Sequence, residues 1–301
     1  MFIITHRNIF FAITGIITAV ALISLVVFGL HRSIEFTGGT LVQVTYPENR
    51  PAPALVEEAL KTAGFEGYSL REANERDYIL RAANLTEIQR SSLTELLSGG
   101  DEYRGEITQL TEVGPTIGKE LRNKAVIALV LVLLCILLFI AFAFRKVSKP
   151  VSSWAYGLIA LVTLVHDVIV PVGFFAFLGY LTGASVDTLF VTAILTILGF
   201  SIHDTIVVFD RVRENLRVNQ ERNRKEDFAE TAGRSLGQTF VRSVNTSLTV
   251  LFTLLVLYFI GPASTRDFAL TLLVGITAGT YSSIFLATPL LVAVEQWRRK
   301  K

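Results

Sequence analysis

Residues Ala125–Phe144 read AVIALVLVLLCILLFIAFAF, a run of 20 positions without an ionisable side chain other than the thiol of Cys135. An α-helix rises about 1.5 Å per residue, so this run matches the hydrocarbon core of a bilayer, which is about 30 Å thick. Two longer uncharged runs, Asn8–Leu30 and Phe268–Val294, contain 23 and 27 residues. Together they predict a multispanning membrane protein and exclude a disordered chain, a disulfide scaffold and an ordinary soluble enzyme.

The composition of the whole chain agrees with this class. Of its 301 residues 51% are hydrophobic and only 18% are charged, and the mean hydropathy is +0.52. The apolar pattern predicts six membrane spans, at residues 9–30, 124–144, 151–178, 187–209, 240–260 and 267–293. Because Cys135 is the single cysteine, an intrachain disulfide is impossible. We expect neither a metal site nor a cofactor.

Lys and Arg in short loops indicate the orientation of the chain. The 145–150 loop carries three basic residues and no acidic one, and the C-terminal four residues are all basic. The 210–239 segment has seven basic and six acidic residues, whereas the 33–122 segment has nine and fifteen. We therefore predict that both termini and the loops 145–150 and 210–239 are cytoplasmic, and that 33–122 is external.

The 33–122 segment alone has the pattern of a soluble α+β domain. Its elements are predicted as a strand at Thr40–Tyr46, a helix at Pro53–Ala63, strands at Tyr68–Glu72 and Tyr78–Ala82, a helix after Thr86 and a strand at Tyr103–Val113. The order β-α-β-β-α-β is the ferredoxin-like pattern. The predicted fold is an α-helical membrane protein with this domain between helices 1 and 2, dividing the chain at 1–32, 33–122 and 123–301.

Asp204 is the strongest functional candidate. Placing an ionisable residue within a membrane span costs free energy, so such a residue indicates a functional site. Asp204 lies six residues before the interfacial Asp210, which places it about 9 Å deep on a regular helix. Ser201 shares its face at a spacing of three residues. Desolvation raises the pKa of a carboxyl group and a nearby arginine lowers it, so such a group can load and release protons near neutral pH. A static interhelical hydrogen bond or ion pair is the alternative.

Four other residues are candidates for a proton pathway. Arg242 enters the fifth span from the side that Asp204 approaches, so the two can meet, although such an arginine also suits a positive-inside anchor. His166 and Asp167 lie near the middle of the third span, and His203 precedes Asp204. Histidine titrates near pH 6.5, which suits a relay, but each histidine can instead donate one structural hydrogen bond.

Two further patterns leave alternatives open. Gly275-x-x-x-Gly279 permits close helix approach, either to a partner or within the chain. The mixed-charge stretch 211–225 is either a solvated cytoplasmic helix and turn or a binding site for anionic lipid headgroups.

Taken together, these residues resemble the SecD/SecF family of protein-export membrane proteins, relatives of the resistance-nodulation-division (RND) transporters. The resemblance covers nearly the whole chain. Its motifs are Phe36–Thr40 with Gly38 and Gly39, Val113–Gly118 with Gly114 and Pro115, His166-Asp167, Gly199–Asn215 and Arg242–Ser247. Two residues depart from the family's pattern: His203 stands where Asn is frequent, and Glu35 where Asp is common.

The resemblance implies a function and a set of partners. The chain would pair with SecD in the bacterial cytoplasmic membrane, and the pair would use the proton-motive force to move exported polypeptides at the SecYEG channel. Asp204 would be the proton-carrying carboxylate and Arg242 its partner. A proton-coupled RND-type half-exporter of lipids or small molecules is one rival, and a passive scaffold is another. We do not expect an enzyme, since the residues show no nucleophile–base pair. We also expect no nucleic-acid partner.

Overall fold

A computed structural model describes residues 2–47, 50–73, 75–83, 85–98, 105–145 and 151–300. Within them, six helices are long and apolar enough to cross a membrane, which confirms the predicted number. The elements in chain order are α1 (Phe2–Thr5), α2 (Arg7–Phe28), α3 (Ile34–Thr37), β1 (Gly39–Thr45), α4 (Pro53–Thr62), β2 (Ser69–Glu72), β3 (Asp77–Ala82), α5 (Glu87–Ser98), β4 (Glu106–Val113), α6 (Pro115–Ala143), α7 (Ser153–Thr182), α8 (Thr188–Glu221), α9 (Phe228–Ile260), α10 (Ala263–Ser282), a π turn (Ser283–Ala287) and α11 (Thr288–Arg299).

The six spans form a bundle with three central helices. In α7, α8 and the α10–α11 span, at least 50% of the most apolar window is buried, whereas in α2, α6 and α9 the buried share is at most 17%. The central helices also carry most of the described buried polar side chains of the bundle, and α9 contributes a further row from Thr231 to Ser247. The peripheral helices therefore present apolar faces to lipid or to a partner, and the centre can hold polar chemistry.

The 210–239 segment, which connects the fourth and fifth spans, is helical over most of its length. Helix α8 continues to Glu221 and α9 begins at Phe228, so the two helices form a hairpin with a short turn. The turn contains Asn223, which has a positive φ of 50°. The polar residues of this segment lie on the parts of α8 and α9 that extend beyond the apolar membrane spans. Residues 146–150 of the other predicted loop lie outside the described part of the chain.

A polar network holds the α8–α9 hairpin together. Arg234 Nη2 donates to Glu226 Oε2 at 2.5 Å, and Asn219 Nδ2 donates to the same oxygen at 2.7 Å. Burial alone would raise the pKa of Glu226, but the hydrogen bonds from Arg234, Asn219 and Thr231 outweigh it, and the pKa lies below its usual value. These bonds explain why charged residues in this segment support helices.

Between α3 and α6 lies a separate unit, residues 39–113, which we name the α+β domain. Its sheet has the strand order β2-β3-β1-β4, and each neighbouring pair is antiparallel. The six elements occur in the predicted order. The sequence predicts the last strand from Tyr103, but residues 101–104 lie outside the described part and the described strand begins at Glu106. Alternate residues such as Val42, Val44 and Leu80 pack under α4 and α5 in one apolar core.

The other face of this sheet covers one end of the bundle, which we call the domain end. A cavity of about 320 Å³ lies between them, lined by sheet residues such as Gln43 and Ile79 and by the ends of α7, α8 and α10. Three arginines and four acids also line it: Arg71, Arg81, Arg266, Glu35, Glu72, Asp187 and Asp267. The α+β domain is thus docked on the helices through a charged interface.

Candidate functional site

Among the described residues, the two least exposed carboxylates of the helix bundle lie on α7 and α8. Asp167 is 0% exposed and Asp204 is 2% exposed. Burying a carboxylate is costly unless hydrogen bonds or a counter-charge satisfy it. The groups around these two residues therefore decide what the site can do.

Asp167 accepts hydrogen bonds from three side chains on three different segments of the chain. Ser201 of α8 and Ser282 of α10 donate to Oδ2, the latter at 2.8 Å, and His166 Nδ1 lies 2.8 Å from Oδ1. Adjacent residues of a helix ordinarily face different neighbours, but these two side chains of α7 turn toward each other. His166 Nε2 is buried and has no hydrogen-bond partner among the described residues. The Asp167 carboxylate is therefore well compensated as an anion.

Asp204 is held much more loosely than Asp167. Its one described hydrogen bond comes from Ser247 Oγ of α9, at a long 3.4 Å to Oδ2. Thr280 of α10 in turn donates to Ser247 Oγ at 2.6 Å. A buried carboxylate with a single weak donor is poorly compensated as an anion, so proton binding there gives back much of the burial cost.

Helix α10 and the π turn contribute to the surroundings of both acids. Ser282 contacts Asp167, while Thr280 reaches Asp204 through Ser247. Ser283, the first residue of the π turn, bonds to Thr205 at 2.9 Å and to the carbonyl oxygen of Ser201. Single π turns inside α-helices occur frequently at functional sites. Hydroxyl groups of α10 therefore reach both acids, Asp167 directly and Asp204 through Ser247.

Arg242 does not reach Asp204, which corrects the predicted pairing. Helix α9 turns Ser243 and Ser247 toward the bundle centre, and Arg242 lies on its exposed face. Arg242 has no hydrogen bond or ion pair to another described residue. His203 also makes no hydrogen bond or ion pair with another described residue and is exposed on α8, although it interacts electrostatically with the adjacent buried Asp204. A helix rotates about 100° per residue, so neighbours in sequence occupy different faces.

The predicted glycine motifs meet at the junction between the α+β domain and α6. Gly38 and Gly39 have φ values of 81° and 138°, which favour glycine. A Cβ atom on Gly38 would lie 2.9 Å from the Cα and N atoms of Pro115, and one on Gly39 would lie 2.5 Å from the carbonyl oxygen of Ala82. Pro115 occupies the first turn of α6, after Gly114 as the N-cap. Gly38, Gly39 and Pro115 therefore form a tight joint, and Gly114 begins the helix next to it.

The Gly38→Ala variant is expected to destabilise the protein by about 1–3 kcal/mol more than Gly64→Ala. Gly64 is a matched control because its φ is 79° but no heavy atom lies within 4 Å of the position that a Cβ atom would take. Both variants place alanine at a positive φ, and only Gly38→Ala adds a clash with Pro115. Thermal unfolding of the purified protein in detergent measures the difference, and equal midpoints would contradict a steric role for the junction.

Sequence reasoning missed the contribution of α10. Thr280, Ser282 and Ser283 form a hydroxyl-rich stretch within an apolar span, and this was the available signal. The Gly275 and Gly279 pattern in the same helix serves internal packing: added Cβ atoms would meet Ile197 and Ser201 of α8 at 2.1 and 2.8 Å. Among the described residues, no group of three His, Cys, Asp or Glu side chains is placed to hold a metal ion.

The fold and the site define a multispanning membrane protein whose centre contains two carboxylates and whose docked α+β domain follows the first span. Two family models match the chain: "Protein export membrane protein SecD/SecF, C-terminal" over residues 93–297 and "SecD/SecF GG Motif" over residues 23–46. The chain belongs to the SecD/SecF family. It is accordingly a multi-pass protein of the bacterial inner membrane.

Known relatives extend over the full chain. It is 43% identical to the protein translocase subunit SecF of Thermobaculum terrenum, covering 97% of this chain and 93% of that one. The crystal structure of SecDF from Thermus thermophilus superposes with a TM-score of 0.84 at 34% identity, over 97% of this chain. A super-membrane-facing form of SecDF gives a TM-score of 0.66 at 35% identity, over 96% of this chain. In both structures the match spans only 38% of the solved chain.

Proposed function

We propose that this chain is an accessory subunit of the Sec protein-export machinery, in which proton flow across the membrane drives the movement of exported polypeptide. Asp204 is the proton-carrying carboxylate, and Asp167 with His166 belongs to the same pathway. Protons are the only coupling ion in this proposal, and the chain has no enzymatic role. The observation that carries it is a buried Asp204 with a single long hydrogen bond, beside a fully bonded Asp167.

A second six-span half, SecD, is the proposed partner in the membrane. His203, Arg242 and Asn245 are exposed on α8 and α9, on faces that a lone chain would turn toward lipid. A charged side chain at the centre of a bilayer costs about 2.5–3.5 kcal/mol on insertion scales, so a protein partner is the more stable cover. The chain also matches only 38% of SecDF, a name that combines both halves. In this arrangement Arg242 and His203 face the partner's polar residues, and membrane lipids cover the remaining apolar faces.

The orientation follows from the charges of the loops. We propose that the termini and the α8–α9 hairpin are cytoplasmic and that the α+β domain, with its ferredoxin-like order of elements, is external. Exported polypeptide would then meet the α+β domain as it leaves the SecYEG channel. The domain end of the bundle is accordingly the outer end.

The energy available from protons bounds the mechanism. One charge crossing 100 mV is worth about 2.3 kcal/mol, so roughly 150 mV supplies about 3.5 kcal/mol. Moving a two-state element from 1:99 to 99:1 requires about 5.5 kcal/mol. A single proton therefore biases a movement incompletely, and about two protons complete it.

Translocation into inverted membrane vesicles tests the proposal. Vesicles that contain SecYEG and SecD, with or without this chain, receive an imposed proton gradient, and completion of a translocation intermediate is measured. We expect stimulation that requires both the chain and the gradient and that a protonophore abolishes. Stimulation without a gradient would favour the passive scaffold, and proton-driven export of lipid or small molecules without SecYEG would favour the half-exporter.

A further inference from the structure

An ion pair joins the α+β domain to α10, the membrane helix that bonds to Asp167 directly and reaches Asp204 through Ser247. Arg71 of β2 donates to Asp267 of α10 through two nitrogens, Nη1 to Oδ2 at 2.7 Å and Nη2 to Oδ1 at 3.2 Å. Both side chains are largely buried, at 16% and 29% exposure. The adjacent Arg266 donates from Nη1 to the carbonyl oxygen of Ala73, just after β2, at 3.3 Å. Bidentate pairs of this kind fix orientation as well as distance.

Helix α10 runs without interruption from this ion pair to the buried site. Fifteen residues separate Asp267 from Ser282, which corresponds to about 22 Å along a helix. The helix lies against α8 through Gly275 and Gly279, where an added Cβ would clash with Ile197 or Ser201. Because packed interiors are dense and transmit strain, a shift of α10 at one end is expected to displace its other end and the side chain of Ser201.

The far end of α10 is where the two acids are bonded. Ser282 donates to Asp167, and Thr280 donates to Ser247, the single donor to Asp204. The π turn begins at Ser283, immediately after this helix. A change in protonation at Asp167 alters a hydrogen bond of α10 directly, and a change at Asp204 acts on α10 through Ser247. The π turn allows α10 to shift relative to α11.

Glu35 and Arg81 also make polar contacts at the domain end, and both contacts are poorer candidates for coupling. Glu35 of α3 accepts hydrogen bonds from the N–H and the hydroxyl group of Thr188 at the start of α8. Arg81 of β3 donates to the carbonyl oxygen of Gly183, at a long 3.4 Å. Neither contact involves α10. Burial raises the pKa of the nearby Asp187 to about 6, which reflects how dry this interface is.

We propose that Arg71 and Asp267 are positioning residues that couple the protonation state of the buried carboxylates to the position of the α+β domain. The shift of α10 transmits the change between them. This inference rests on the proposed function, because it assumes that the acids change protonation during the working cycle. It adds the route by which that change reaches the domain. Arg71 and Asp267 touch neither the proton nor the polypeptide, and they act through α10.

Charge reversal tests the coupling in the assembled complex with SecD and SecYEG. Arg71→Asp and Asp267→Arg are each expected to reduce gradient-driven translocation at least about fivefold, the ratio that corresponds to about 1 kcal/mol. The double variant, which restores the pair with opposite signs, should return to within about twofold of the wild type. Arg90→Asp is the matched control, since Arg90 pairs with Glu87 of α5 and Glu112 of β4 and with no described residue of the bundle helices. Wild-type activity in both single variants, or no recovery in the double variant, would overturn the proposal.

A distance measurement separates this inference from the proposed function. Spin labels at Ser92→Cys in α5 and Leu181→Cys in α7, in a Cys135→Ser background, report the position of the domain relative to the bundle. Asp204→Asn, which mimics the protonated acid, is expected to shift the distance distribution when the ion pair is intact and to leave it unchanged in Asp267→Ala. An identical shift in both backgrounds, or no shift in either, would overturn the coupling role. The measurement needs no transport, so it remains decisive even if Asp204→Asn retains full export.

Discussion

The Asp204→Asn variant is expected to insert, fold and assemble, but its gradient-driven translocation should fall at least about tenfold. Asparagine has nearly the same shape and keeps an oxygen that Ser247 can bond, and this one bond at 3.4 Å is already long. Exchanging it therefore changes the free energy of unfolding by no more than about 1 kcal/mol. The amide cannot ionise, however, so the step that requires a proton to leave this site is blocked.

Asp210→Asn provides a matched control on the same helix. Asp210 lies six residues after Asp204, is exposed and pairs with Arg213 at 2.6 Å. It offers an identical chemical change outside the buried network, and we expect wild-type translocation. Translocation into vesicles is compared at equal amounts of assembled complex, with thermal midpoints measured in detergent. If Asp204→Asn responded to the gradient like the wild type, Asp204 would not be the coupling group.

Sequence patterns predict the elements of the fold because those elements depend on local composition. The run at Ala125–Phe144 lies almost wholly inside α6, and the alternation in Thr40–Tyr46 corresponds to β1. Helix ends are less predictable. Helix α6 begins at Pro115, several residues before its apolar run, because Pro115 starts the helix and its polar first turns pack on α3. Hydropathy detects a bilayer-length run, but a helix ends where its hydrogen bonds end.

The buried acids can be identified from the sequence, and their partners cannot. A carboxylate within a span is conspicuous at any position, so Asp204 and Asp167 emerge from composition alone. Which hydroxyl groups meet them depends on the rotation of each helix about its axis. Ser282 lies 115 residues from Asp167 in the chain, and only the packing of α10 in the bundle brings them together. The same rotation turns Arg242 away from Asp204, although the two lie on neighbouring helices.

The coupling contact is beyond sequence reasoning for a related physical cause. Arg71 lies on a short edge strand and Asp267 in the first turns of a membrane helix, and neither position is unusual in isolation. Their ion pair exists because the sheet docks with its open face on the bundle. Docking depends on the shapes and charges of two folded units, so it produces no periodic pattern in the local sequence from which it could be predicted.

Asp167→Asn, in contrast to Asp204→Asn, is expected to destabilise the bundle by about 1–3 kcal/mol. Asp167 accepts hydrogen bonds from Ser201, Ser282 and His166, whereas an asparagine places an NH₂ group where one carboxylate oxygen was. If the amide oxygen stays with the two serines, the NH₂ group faces His166 Nδ1, which must then accept. The imidazole proton moves to Nε2, which is buried without a described partner.

This donor conflict has a measurable signature in a double-mutant cycle. Asp167→Asn and His166→Ala are compared singly and together by thermal or denaturant unfolding in detergent. Since His166→Ala removes the group that opposes the amide, the double variant should lose less stability than the sum of the single losses, by about 0.5–3 kcal/mol. Asp167→Leu removes every acceptor and strands the serine and histidine donors, so it should be the most damaging of the set. Additive losses would mean that His166 and Asp167 are not coupled. Equal stabilities of Asp167→Asn and Asp204→Asn would contradict the physical distinction between a firmly bonded acid and a loosely held one. That distinction is the basis for assigning proton release to Asp204.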